Sequence, residues 1–137
     1  MDKLNIIYDT NVIISSLLSG NEDSATVKAL DYFYDNRVNL IYSNEIIKEY
    51  IEVLNREKFS FDKNKIKELI SVIKDKGINV SPGKIDEYNL DIKDKPFYEL
   101  VIDKTIGNKK LVTGNIKHFP NIKEIITPNE LVALMEK

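Results

Sequence analysis

Short, nearly continuous apolar runs alternate along this chain with stretches whose apolar residues recur at helical spacing. The runs are Lys3–Tyr8, Val38–Tyr42, Ile78–Ser81, Lys110–Thr113 and Glu124–Ile126. Strands that are apolar throughout, rather than alternately, belong to parallel sheets covered by helices on both faces. The alternation therefore predicts an α/β class fold of three αβα layers, with a central parallel sheet of about five strands flanked by helices.

The punctuation between the runs agrees. Asp9-Thr10-Asn11 ends the first strand in turn and cap residues, and Val12–Leu18 follows as a short helix or turn stopped near Ser19-Gly20-Asn21. Asp23 or Ser24 caps a helix reaching about Asn36, with Val27, Leu30, Phe33 and Tyr34 at helical spacing. Ser43 caps a helix from Asn44 to about Arg56, and Lys63–Lys76 is amphipathic through Ile66, Leu69, Ile70 and Ile73. Gly77 is placed to end it as a glycine just past the last turn. Pro82-Gly83 breaks the third strand, and an acidic connection from Lys84 to Lys95 carries Asp86, Glu87, Asp91 and Asp94. Pro96 suits the first turn of a helix over Phe97–Ile106, closed by Gly107-Asn108. Thr127-Pro128-Asn129-Glu130 reads as a capping box opening the last helix. No repeat or linker interrupts the pattern, so residues 1–137 read as a single domain.

With no cysteine and one histidine, His118, the chain has no disulfides and no Cys/His zinc site. A metal here is a hard cation held by oxygen, Mg2+ or Mn2+ before zinc. A net charge of −2 and a pI of about 5.5 argue against a free-standing, tight nucleic-acid binder. They do not argue against a nuclease, whose metal needs carboxylates. The N-terminal apolar run is too short for a signal peptide and nothing approaches a membrane span, so the expectation is a cytoplasmic protein with no membrane partner.

In a doubly wound sheet, ligands bind beyond the carboxyl ends of the strands. Three such ends carry polar residues: Asp9-Thr10-Asn11, Ser43, and Thr113-Gly114-Asn115. Asp9 is either a helix cap or part of a site. On the third helix, at about 100° per residue, Glu45 and Glu52 lie opposite the apolar stripe and Glu49 lies nearer it, best placed to turn into a cleft. Asp91 and Asp94 either favour a helix start or hold a carboxylate against a metal at the sheet end.

Taken in order, these segments resemble the PIN-domain family. Asp9-Thr10-Asn11-Val12 is similar to its first motif. Ser43-Asn44-Glu45-Ile46-Ile47-Lys48-Glu49-Tyr50 is similar to its second, with the family glutamate at Glu49. Glu52-Val53-Leu54-Asn55-Arg56 with Lys58-Phe59 resembles the continuation in one bacterial subgroup. Asp91-Ile92-Lys93-Asp94 before Phe97, Thr113-Gly114-Asn115 through His118, and Pro128 near the end resemble the remaining motifs.

The resemblance implies a metal-dependent endoribonuclease in which Asp9, Glu49 and Asp94 are catalytic and hold Mg2+ or Mn2+, with Asp91 as a further ligand or helper. Asn11, Thr113 and Asn115 are the supporting residues, Asn11 and Thr113 bonding the carboxylates or filling their own turns. Asn115 departs from the family's usual aspartate and removes a negative charge. Lys48, Arg56, Lys117 and His118 are the leading candidates for RNA contact, with Lys58, Lys109, Lys110 and Lys123 behind them, and His118 alternatively caps or packs beside Phe119. The family resemblance further implies the toxin half of a toxin–antitoxin pair, with a small antitoxin protein as partner and a homodimer. Two alternatives stand beside it: a non-catalytic PIN-fold module binding RNA or protein, and a haloacid-dehalogenase-like phosphatase, against which Asn11 stands where its general acid belongs.

Overall fold

The computed structural model describes residues 3–85 and 90–137; Asp86 and Glu87 of the acidic connection lie outside them. Five strands, β1 (Asn5–Tyr8), β2 (Asn39–Tyr42), β3 (Ile78–Asn79), β4 (Lys109–Val112) and β5 (Ile125–Ile126), form one sheet in the order β3-β2-β1-β4-β5. Every pairing is parallel. The helices are α1 (Thr10–Leu18), α2 (Ala25–Tyr34), α3 (Asn44–Leu54), α4 (Lys63–Lys76), α5 (Lys95–Ile102) and α6 (Pro128–Met135), and the whole is the expected three-layer α/β fold.

The central strands are apolar on both faces because both faces are covered. Ile6, Ile7, Tyr8, Leu40, Ile41, Leu111 and Val112 are all buried, as the continuous runs require. The chain reverses its direction of growth across the sheet between β1 and β4, which makes their carboxyl ends the topological switch point. Register aligns these two strands from Asn5 beside Lys109 to Tyr8 beside Val112, and the Asp9 N–H donates to the Val112 carbonyl at 3.0 Å. Asp9 and Thr113 thus leave the sheet side by side.

Several boundaries differ from expectation, each for a local reason. Ser24, not Asp23, caps α2, accepting from the Val27 N–H. The third strand stops at Asn79 instead of Ser81, at an exposed sheet edge where Pro82 follows with no N–H to donate. Helix α3 ends at Leu54 rather than Arg56, its Asn55 side chain donating back to the Ile51 carbonyl at 2.7 Å. A single 3-10 turn then forms at Glu57–Phe59. Helix α5 ends at Ile102 rather than Ile106, because the Asp103 carboxylate takes the Thr105 N–H at 2.8 Å and starts a turn of its own. Gly77 has φ −78°, not the left-handed conformation expected of it. A Cβ there would stand 2.4 Å from the Ile73 carbonyl oxygen and 3.0 Å from the Tyr42 ring, so close approach is what excludes a side chain. The capping box at Thr127 and Glu130 is present with both of its hydrogen bonds.

Candidate active site

Helix α1 begins directly after β1, with Asp9 at its N-cap. A carboxylate in that place commonly bonds the first free N–H groups of the helix. Here it makes no capping bond. Asp9 Oδ2 instead accepts from the Thr113 hydroxyl at 2.6 Å, across the β1–β4 junction. Thr113 is fully buried, and its Oγ1 also accepts the Asn115 N–H at 3.0 Å. Its hydroxyl therefore does both things open to it: it fills its own turn and orients Asp9.

Helix α3 brings Glu49. The fully buried Tyr50 next to it donates its hydroxyl to the Tyr8 carbonyl, pinning α3 to the last residue of β1. Glu49 Oε2 accepts the Thr10 hydroxyl. Thr10 was not among the residues singled out from sequence; its only signal was its place between Asp9 and Asn11. Helix α5 brings Asp94, again at an N-cap and again without a capping bond. Its Oδ2 lies 3.5 Å from His118 Nδ1. His118 is more than half exposed and faces this carboxylate.

Asp9, Glu49 and Asp94 share one cavity of about 590 Å³, lined also by Thr10, Asn11 and Lys93. Burial pushes the Asp9 carboxyl up to about 6; the Thr113 hydrogen bond opposes this, and the neighbouring Asp94 and Glu49 charges add to it. Glu49 and Asp94 are raised too, in each case mainly by burial. Asp94 raises Glu49 further, while His118 pulls Asp94 back. Three acids that hold their protons more tightly than normal, aimed at one space, form a strong latent attraction for a cation. On the same wall the Asn11 Oδ1 is buried with no hydrogen-bond partner among the described residues. Among the described residues no three Asp, Glu or His side chains close around a single point.

Other expected members stand apart. Asp91 is exposed and not on the cavity wall; its Oδ1 takes the Lys93 N–H at 3.0 Å, turning the chain toward α5. Asn115 is exposed and also off that wall, its N–H donating to the Thr113 hydroxyl oxygen. Lys48 and Arg56 do line the cavity, joined by Glu52, which pairs with Arg56 at 3.0 Å. Lys117 is exposed and outside it. Lys109, Lys110 and Lys123 line a different hollow. Lys109 opens β4, so they sit at the opposite end of the strand from Thr113.

No described helix is long and apolar enough to cross a membrane. No curated protein matches the chain. A family model described as PIN domain matches residues 5–117, a span that includes all three carboxylates, both hydroxyls that orient them, and β1 to β4.

Proposed function

Because the chain belongs to the PIN-domain family, whose members are generally nuclease modules and typically use divalent metal ions, we propose that it is a Mg2+- or Mn2+-dependent endoribonuclease cutting RNA phosphodiesters. The carrying observation is the convergence of Asp9, Glu49 and Asp94, from three different elements, on one cavity. Family membership leaves the phosphatase alternative without support.

The donor set fits such an ion. Every candidate ligand is a hard oxygen, and Asn11 Oδ1 supplies a buried oxygen lacking a partner among the described residues. Mg2+ keeps several waters and is usually held through one or two carboxylates plus substrate phosphates, so a set that does not close on one point suits it. The chemistry an ion supplies there is charge neutralisation at the phosphoryl oxygens and a more acidic water.

The chain's own residues do the rest. Thr113 and Thr10 hold one oxygen each of Asp9 and Glu49, which fixes the two carboxylates that would hold the ion. Asp9, whose carboxyl burial pushes up to about 6, would be held in its charged form by a cation bound beside it. His118 braces Asp94 and, when protonated, carries a positive charge beside it. Lys48, Arg56 and Lys93 are placed to receive the phosphates that flank the cleavage point.

A second reading has one observation in its favour. Asn115 brings no charge and lies off the cavity wall, which favours a single weakly held ion or a module that binds RNA without cutting. A role as a toxin with a small antitoxin partner, and a homodimer, are further proposals resting on the motif resemblance.

The test is cleavage of single-stranded RNA by wild type, Asp9→Asn and Glu49→Gln with Mg2+ or Mn2+. Wild type should cut, both variants should lose at least ~100-fold, and a chelator should stop the reaction. Equal cleavage by all three, or indifference to the chelator, refutes the site. No cleavage by wild type under any of these conditions selects the binding module.

A further inference from the structure

We propose that Phe59 is the base-stacking residue of this cleft, taking one unpaired RNA base against its ring while the cationic side chains around it receive the adjoining phosphates. This rests on the nuclease reading and adds to it the feature of RNA that the cleft grips.

Phe59 is the aromatic residue among those lining the carboxylate cavity, and with Ile14 and Val53 it forms the apolar part of the wall. A cavity built only to hold a cation and a phosphate has no use for apolar lining in contact with water, whereas the flat face of a base covers it.

The ring is held in advance. It sits at the end of the 3-10 turn Glu57–Phe59, which Ser60 closes in the left-handed conformation at φ 52°. Both the Ser60 N–H and its hydroxyl donate to the Glu57 carbonyl, at 3.0 and 3.2 Å. Phe61 stacks behind, with centroids 5.5 Å apart and planes 13° from parallel. A platform already ordered loses little side-chain freedom when a base settles on it. The exposed Lys58 ammonium lies 5.1 Å from the ring centroid. A base arriving there displaces it toward solvent, where it can meet a phosphate.

Charge makes this contact necessary. Asp9, Glu49, Glu52 and Asp94 face Lys48, Arg56 and Lys93 in one cavity, so without a cation a phosphate meets an excess of negative charge. Stacking is the attraction available here that does not depend on charge, and it tolerates every base because every base has a π-face.

The chain contains no tryptophan, so Phe59→Trp places its single indole at the site, and red-edge excitation reads that indole apart from the seven tyrosines. Titrated with hexa-adenylate in Ca2+, its fluorescence should be quenched. An abasic strand of equal charge and an adenylate–uridylate duplex should leave it unchanged. Phe59→Leu keeps apolar bulk behind the turn; it should bind hexa-adenylate roughly tenfold more weakly than wild type and the abasic strand equally well. Quenching by the abasic strand to the same extent, no quenching by hexa-adenylate, or wild-type affinity in Phe59→Leu each overturns the proposal. The nuclease reading fails separately. Base-dependent quenching in a protein that cuts no RNA keeps the stack and removes the catalysis. Cleavage with wild-type affinity in Phe59→Leu does the reverse.

Discussion

Asp9 is a carboxylate whose surroundings favour its proton. It is 6 % exposed, and its carboxyl is pushed from an ordinary value near 3.8 up to about 6. Between those two values the folded chain holds a proton that the unfolded chain has released, so stability falls as pH rises through that window. Above about pH 6 the whole cost stands. Two pH units at about 1.4 kcal/mol each set its upper bound near ~3 kcal/mol. Asp9→Asn keeps an oxygen for the Thr113 hydroxyl and removes the charge. The metal-free variant should therefore melt higher than metal-free wild type at pH 7.5, and the two should converge near pH 4. Saturating Mg2+ or Mn2+ should raise wild type far more than the variant. Matched thermal melts over pH check this, and a variant less stable than wild type at pH 7.5 would contradict it. Thr113 is the complementary case. Thr113→Val removes the donor to Asp9 and leaves the Asn115 N–H without its acceptor. We expect a loss of about 1–3 kcal/mol and a weaker response to the cation, with Thr113→Ser retaining most of both.

At the scale of elements, the sheet was legible because burial on both faces leaves an unmistakable run of apolar residues: β1, β2, β3 and β5 fall inside their expected runs, and β4 starts and ends one residue before its own. What was not legible is where side chains take over from the backbone. Asp103 ends α5 early through a bond to Thr105, and Asn55 stops α3 by folding back on Ile51. Those are choices of one hydrogen bond over another, and periodicity does not encode them. Gly77 shows the same limit: a glycine after a helix signals an ending, but not whether φ or space demands it. Here space does, because the Ile73 carbonyl and the Tyr42 ring crowd the missing Cβ. Gly77→Ala should accordingly cost about 1–3 kcal/mol although its φ of −78° is open to alanine. Denaturant unfolding measures it. A neutral substitution would mean that the α4–β3 connection yields without loss.

Across the whole molecule, the carboxylates were legible from chain order, because each follows a strand or opens or rides a helix at the sheet's carboxyl end. Thr113 was legible as a supporting residue but not that it makes both of its bonds, and the hydroxyl of Thr10 and the ring of Phe59 were harder, since what matters in them is the partner reached across the fold. The same applies to the cations. Of the basic residues singled out by sequence, Lys48 and Arg56 reach the carboxylate cavity, and Lys93 joins them unannounced. Lys109, Lys110 and Lys123 lie at the other end of the strands. This division makes a quantitative prediction. A single strand gripped only at the cleft neutralises its phosphates with about three side chains. The logarithm of affinity should then fall against the logarithm of monovalent salt with a slope near ~−2, since each contact contributes about −0.7 for single-stranded nucleic acid. Divalent cation must be held constant, because it competes for the same phosphates. Arg56→Gln should flatten the slope by about 0.7. Its pairing with Glu52 is exposed, so the substitution should leave stability within ~0.5 kcal/mol of wild type. Lys110→Gln, in the distant hollow, should leave the slope unchanged. A wild-type slope steeper than about −4, or a Lys110→Gln effect equal to that of Arg56→Gln, would mean that RNA runs well beyond the cleft and along the α5–β4 side of the molecule.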